Sequence, residues 1–312
     1  MERAAADFRR HLRPTPLQLS RGLSQAAGCQ VFLKLESVQP IRSFKLRGAL
    51  NKLTRMPADR RAAGVITASA GNHGMGVAYA AAEFGVPATV YVPENANPFK
   101  VEAIKRLGAS VVHAGRSYSA AFDAAVEARK ETGATLVHAY DDPDVVAGQG
   151  TIGLELLEDL PELDVAVVPI GGGGLIAGIS LYLKSKRPSV RVIGVEPEGA
   201  DAMRRSLEAG RIVTLDRVDT IADGLAASAP GALTLALAQR HVDEVVTVSD
   251  DEMLRSIRQL FEVEHLLAEP AGAAALAGLL KRGGVGAADR AAVIVSGANA
   301  TDAVLLRALQ PS

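Results

Sequence analysis

Short apolar runs rich in β-branched residues alternate along this chain with longer stretches of helical spacing, the order that a parallel sheet with crossover helices requires. Strands are predicted at residues 31–35, 65–68, 88–92, 110–113, 135–138, 165–170, 190–195, 245–248 and 292–295. Between them, Val77, Ala81 and Phe84, or Leu254, Ile257, Leu260 and Phe261, recur at the spacing of one buried helical face. The segment 61–140 holds strand and helix units of its own and is expected to close as a small domain. Residues 1–60 and 141–312 are then left to form a larger, discontinuous domain, with the cleft between the two as the expected ligand site.

Composition excludes several function classes. Lysine and arginine total 34 against 35 for aspartate and glutamate, aromatics make up 4% of residues, and tryptophan is absent. A nucleic-acid surface wants a basic face and stacking rings, and this chain offers neither. Cys29 is the only cysteine, which rules out an intrachain disulfide framework and a cysteine-based zinc cluster and points to a reducing compartment. The opening MERAAADFRRHLRP is charged throughout and lacks the apolar core of a signal peptide. Residues 165–183 carry no formal charge, but Pro169, consecutive glycines, Ser180 and Tyr182 interrupt them, so a buried strand, turn and helix fit better than a membrane span. A soluble cytoplasmic protein is expected, with no nucleic-acid or membrane partner.

Three stretches carry candidate chemistry. In Ser43-Phe44-Lys45-Leu46-Arg47-Gly48-Ala49, Ser43 is the expected N-cap, and Leu46, Ala49, Leu50 and Leu53 make a buried stripe on the helix that follows. Lys45 then lies in the first turn, where the helix dipole and desolvation disfavour its ammonium form and leave the neutral amine that carbonyl chemistry needs. A solvated lysine near a helix start is the plainer reading of this segment alone. The run Gly171-Gly172-Gly173-Gly174 follows an apolar strand and opens an apolar helix, so backbone N–H groups and the helix dipole can close on a phosphate. Gly172, Gly174 and Ala177 also match a dinucleotide fingerprint, with Glu196 ending the next strand where an acid would hold a ribose. A nicotinamide-nucleotide oxidoreductase therefore stands as an alternative. In Ser69-Ala70-Gly71-Asn72-His73-Gly74, small residues expose amides that can hold a carboxylate and Asn72 can bond a ring hydroxyl, while His73 reads as a structural histidine.

Together and in this order the motifs resemble the fold-type II pyridoxal-phosphate enzymes, in the branch of the threonine/serine dehydratases and serine racemase. The resemblance covers most of the chain: Arg13-Pro14-Thr15-Pro16-Leu17, SFKLRGA, SAGNHG, AGQGT at 147–151, the glycine run, Asp223-Gly224-Leu225, Glu269-Pro270 and Ser296-Gly297. It implies an α/β fold similar to the tryptophan synthase β chain: two open, twisted, mainly parallel sheets flanked by helices, with the active site in the interdomain cleft. It implies pyridoxal 5'-phosphate as cofactor, with Lys45 binding it covalently, Phe44 packed beside it and Asn72 on its 3-hydroxyl. Gly171, Gly172, Gly173 and Gly174 would hold the phosphate, Gly224 and Glu269 would line the ring, and Ser296 would meet the pyridine nitrogen. Ser69, Ala70, Gly71, Asn72 and His73 match the loop that receives the substrate carboxylate. The implied activity is dehydration of a small L-β-hydroxy amino acid, of the L-threonine or L-serine type, to a 2-oxo acid and ammonia by a homodimer. A serine racemase and a 3-hydroxyaspartate or hydroxyectoine-pathway dehydratase are the alternatives within the same fold.

The chain departs from the family pattern in places. Racemases of this branch resemble SSGNH, with a serine acting on the face opposite the lysine; here that residue is Ala70, which has no proton to give, and this favours elimination. Ile41-Arg42 replaces the usual Thr-Gly ahead of the lysine motif. Some relatives bind a divalent cation through a Glu, a carbonyl and an acid. Glu196 and Ala200 fit that pattern, but the third position is Ala202, with Asp201 adjacent, so the cation lacks support. Gly297-Ala298-Asn299 stands for the commoner Gly-Gly-Asn. The chain ends at Ser312, and the C-terminal regulatory domain of biosynthetic threonine dehydratases is not expected.

Overall fold

The computed structural model describes residues 1–8, 11–283 and 285–310. Its strands are β1 (Leu17–Ser20), β2 (Gln30–Leu35), β3 (Val65–Ala68), β4 (Ala88–Val92), β5 (Ser110–His113), β6 (Thr135–Leu136), β7 (Val165–Pro169), β8 (Arg191–Pro197), β9 (Glu244–Val248) and β10 (Arg290–Val295). They form a six-stranded sheet in the order β1-β2-β10-β7-β8-β9 and a four-stranded sheet in the order β5-β4-β3-β6. Every pairing is parallel except that of β1 with β2 at the edge of the larger sheet. The fold is thus α/β with two mainly parallel sheets flanked by helices.

Strand β7 shows why these runs are so apolar. Val165 and Val167 join one core cluster with Leu276 and Ile257, while Ala166 and Val168 join another with Ile176 and Ile179. Helices cover both faces, so alternation of polar and apolar residues is lost.

The structure differs from expectation at four points, the first being Phe261, which is exposed although Leu254, Ile257 and Leu260, expected on the same face, are buried. Strand β1 is additional to the predicted set: in its four residues only Ser20 is buried, so it presents no apolar run. The predicted strand 135–138 ends at Leu136; the Val137 N–H still donates to the Ile66 carbonyl at 2.9 Å, but His138 turns off the ladder and its Nδ1 accepts from the N–H groups of Tyr140 and Asp141. Ser43 is not the N-cap of helix Lys45–Arg55. That position belongs to Phe44, and Ser43 instead bridges Gly297.

The stripe on helix Lys45–Arg55 behaves as its spacing requires. Leu46, Ala49, Leu50 and Leu53 are fully buried and share a cluster with Val65, Val77 and Val90 of the smaller sheet and its helices. The first turn is tied elsewhere: the Phe44 N–H donates to the Ser296 carbonyl at 3.1 Å, just past the end of β10. Lys45 therefore stands where the two sheets meet.

Candidate active site

Helix Lys45–Arg55 is fixed from below by a buried charge network. The Arg47 guanidinium donates to both oxygens of Glu36, at 2.8 Å each, and to both of Glu155, at 2.6 and 2.8 Å. Lys34 adds a 2.8 Å pair to Glu155 and a 2.7 Å bond to the Thr15 carbonyl. Two forked carboxylates on one planar fork set the orientation as well as the position of the helix.

Lys45 projects from the first turn and its Nζ donates to the Ala139 carbonyl at 2.9 Å, with the Phe44 ring centroid 5.2 Å away. Burial lowers its pKa to about 8, against an opposing pull from the charge of Glu269. Phe44, Lys45, Asn72, Gly171, Gly172, Gly173, Gly174, Gly224, Glu269 and Ser296 all line one cavity, together with Tyr140. A wider depression, of about 590 Å³, lies elsewhere between Lys52, Arg55, Arg60 and Arg129 and holds none of these residues.

The glycine run turns the chain from β7 into helix Gly174–Lys186. Gly173 is the N-cap at φ +93°, a left-handed conformation that favours glycine. A Cβ there would also lie 2.5 Å from Met203 Cε and 2.9 Å from Thr234. The Thr234 hydroxyl donates to the Gly172 carbonyl at 2.7 Å, which ties the turn to helix Ala232–His241. Bare amides at a helix N-terminus, in a turn packed too closely on Tyr140, Met203, Thr234 and Leu225 to admit side chains, make a cradle for a phosphate.

Opposite the cradle, Ser296 is buried and its hydroxyl donates to the Ala271 carbonyl at 3.2 Å. That is long for a hydroxyl donor, for which about 2.7–2.8 Å is usual, so the hydroxyl can turn to a ring nitrogen. Glu269 accepts from Asn72 Nδ2 at 2.6 Å, and burial pushes its carboxyl up to about 7.

Of the loop predicted to receive the substrate carboxylate, only Asn72 lines the cavity; Ser69, Ala70, Gly71 and His73 are not in its wall. Ser69 Oγ accepts from the Gly71 N–H at 3.2 Å, and Ala70 packs against the smaller sheet's cluster. His73 Nε2 meets the Val137 carbonyl at 2.9 Å and must donate to it. Burial, with the nearby Lys45, lowers its pKa to about 3 and keeps the ring neutral. The sequence motifs include neither Tyr140 nor Thr234, and Asn299 enters them only as the last residue of Gly297-Ala298-Asn299, without a role. Each lies on a loop or helix start and acquires its place only through the fold.

The residues around Glu196 do not fit a divalent cation. Both of its oxygens accept from the N–H groups of Met203 and Arg204, at 2.8 Å each. Asp201 is paired with Arg204 and Arg205, and Ala202 offers no side-chain ligand. Among the described residues no group of three His, Cys, Asp or Glu could hold a metal ion. The same two amides engage Glu196 as a cap for helix Ala202–Ala209, which takes from the nucleotide alternative its acidic ribose partner.

Residues 8–297 match the family model described as "Pyridoxal-phosphate dependent enzyme". An L-threonine ammonia-lyase of Thermotoga maritima is 44% identical over 285 residues, covering 91% of this chain and 71% of that protein. An L-threonine ammonia-lyase of Geobacter sulfurreducens is 46% identical over 292 residues, covering 94% and 73%. Among solved structures, maize serine racemase superposes with a TM-score of 0.94 at 36% identity, covering 99% of this chain and 95% of that one. The processed form of threonine deaminase isoform 2 from Solanum lycopersicum gives 0.93 at 35% identity, covering 99% and 92%.

Proposed function

Because the chain belongs to the family of pyridoxal-phosphate dependent enzymes, we propose that it is an ammonia-lyase that dehydrates a small L-β-hydroxy amino acid, of the L-threonine or L-serine type, to a 2-oxo acid and ammonia. One observation carries this reading: Lys45, the glycine cradle and Ser296 converge on one cavity in a chain 44–46% identical to two L-threonine ammonia-lyases.

The residues present fit the cofactor: an amine of lowered pKa, a run of glycine amides at a helix N-terminus, and a hydroxyl able to face a ring nitrogen, all on one cavity. When bound, pyridoxal phosphate supplies an electron sink for bonds broken at the substrate's α-carbon. The protein supplies the rest. The amides of Gly171 to Gly174 would hold the phosphate; the Lys45 amine would attach the cofactor and, once the substrate's own amine had displaced it, would take the proton from the α-carbon. Ser296 donates to the ring nitrogen and leaves it neutral, which keeps the sink modest and suits prompt loss of the β-hydroxyl. The loop of Ser69, Ala70, Gly71, Asn72 and His73 orients the substrate carboxylate through its amides. Gly224 and Glu269 flank the ring.

Residues 61–140 are assigned as the small domain, and 1–60 with 141–312 as the large one. A cytoplasmic homodimer belongs to the same proposal. It is supported by the exposed apolar side chains Phe261, Val263 and Leu267, surface that a second copy would cover. None of the described helices is long and apolar enough to cross a membrane.

The test is incubation of the purified protein, supplied with pyridoxal phosphate, with L-threonine, L-serine and L-threo-3-hydroxyaspartate, scoring oxo acid and ammonia. Release from at least one is expected, with loss in Lys45→Ala. Borohydride reduction is expected to tag Lys45. Tagging at another lysine, or full activity in Lys45→Ala, would refute the assignment.

A further inference from the structure

Asn72, at the start of helix Asn72–Glu83, is held on both sides of its amide. Its Oδ1 accepts from Asn299 Nδ2 at 2.7 Å, and its Nδ2 donates to Glu269 Oε1 at 2.6 Å. The same Asn299 Nδ2 donates to the Ile41 carbonyl at 2.9 Å. Residues far apart in the chain thus meet: the turn before Lys45, the segment after β10, and the N-cap of helix Pro270–Arg282.

The order of these bonds is not free. A peptide carbonyl has no proton to give, so Asn299 must present its nitrogen to Ile41. The same nitrogen then faces Asn72, which must answer with its oxygen, and the nitrogen of Asn72 is left to face Glu269. Any flipped amide in the chain would set acceptor against acceptor. One N–H of Asn72 remains unspent in a cavity-lining residue.

We propose that Asn299 is a positioning residue: it relays the polarity of the Ile41 carbonyl to Asn72, so that Asn72 offers the cofactor ring a donor rather than an acceptor. This rests on the reading that the cavity holds pyridoxal phosphate. A donor stabilises the ring's hydroxyl oxygen in its anionic form. Glu269 cannot impose that polarity at every pH. Its carboxyl, faced by Lys45, Lys100 and Asp223, is pushed up to about 7 by burial, and once protonated it can donate. The Ile41 carbonyl never can.

The experiment compares holoenzyme of the wild type with Asn299→Ala, Asn299→Asp, Asn72→Ala and the Asn72→Ala/Asn299→Ala double variant. The readouts are the visible absorption spectrum at fixed pH, the cofactor dissociation constant and the thermal midpoint. Asn299→Ala should lose part of the long-wavelength band and bind cofactor roughly three- to tenfold more weakly. Asn299→Asp, close in shape but acceptor-only, should shift the spectrum further. The double variant should be no worse than Asn72→Ala, because Asn299 acts through Asn72. Additive losses, or a lowered thermal midpoint with the wild-type spectrum in both Asn299 variants, would overturn the relay and leave Asn299 as a tie for Ile41. Failure of the wild type to give any visible band with the cofactor would instead overturn the reading beneath it.

Discussion

The ring of Tyr140 occupies the space that a side chain at Gly172 would need: a Cβ there would lie 2.3 Å from Tyr140 Cδ1. The cradle is therefore walled by an aromatic from the loop after β6. Gly172→Ala should displace that ring or the turn, at a cost of about 1–3 kcal/mol for overpacking, and weaken cofactor binding roughly tenfold or more. Adding Tyr140→Ala should recover part of the loss. Titration of the apoprotein with pyridoxal phosphate measures both, and unchanged affinity in Gly172→Ala would rule out the wall.

Before the cofactor binds, the Lys45 amine titrates at about 8, because burial lowers it and the negative charge of Glu269 resists. Its rate of reaction with pyridoxal phosphate should rise with pH through that value, as the neutral form appears, and then level off. Glu269→Gln removes the charge that favours the ammonium, so the midpoint should fall. Stopped-flow absorbance from about pH 6 to 10 follows it; a midpoint that rises in the variant contradicts the electrostatic account.

Ala70, two residues before the cavity-lining Asn72, has no proton to donate. Ala70→Ser should raise racemisation of serine relative to its elimination, since inversion needs a second acid/base group. The ratio of D-serine to pyruvate is the readout, and an unchanged ratio would count against any role for this position in choosing the reaction.

Arg42 adopts φ +58° and its side chain is exposed. Holding a residue with a Cβ there costs about 1–2 kcal/mol, partly offset in a glycine variant by the greater freedom of its unfolded chain. Arg42→Gly should stabilise the fold by about 0.5–1 kcal/mol. Thermal or urea unfolding decides, and a net loss would show that the arginine is held by more than its backbone.

Arg47→Met should be severe. It leaves the carboxylates of Glu36 and Glu155 buried without their fork, a loss of about 3–5 kcal/mol when one partner of a buried pair is removed. Arg47→Lys returns the charge but not the two-pronged geometry and should recover only part. Urea midpoints for the two variants test the ranking; near-wild-type stability in Arg47→Met would mean the network carries little.

What can be seen in the sequence divides along physical lines. Runs that bury both faces, such as 65–68 and 165–169, show their bounds because nothing polar interrupts them for long. Strand β1 cannot be seen, since Leu17–Ser20 is an edge with little buried surface. In the cavity, Lys45, Asn72 and the glycines stand in local motifs that are ambiguous one by one and become legible through the resemblance that the whole set, in order, carries. Tyr140 and Thr234 carry no such signature; they matter because loops and helix starts distant in sequence bring them against Gly172. Ser43 looks like a cap by residue type alone, and the bridge to Gly297 that claims it instead is a tertiary contact.

The helix that bears Lys45 is buried with the smaller sheet, yet its first turn is stitched to the end of β10 in the larger one. The turn that carries the amine is thus anchored from both sheets at once. A substitution in the packing of either one therefore reaches the reactive nitrogen through a single turn of helix.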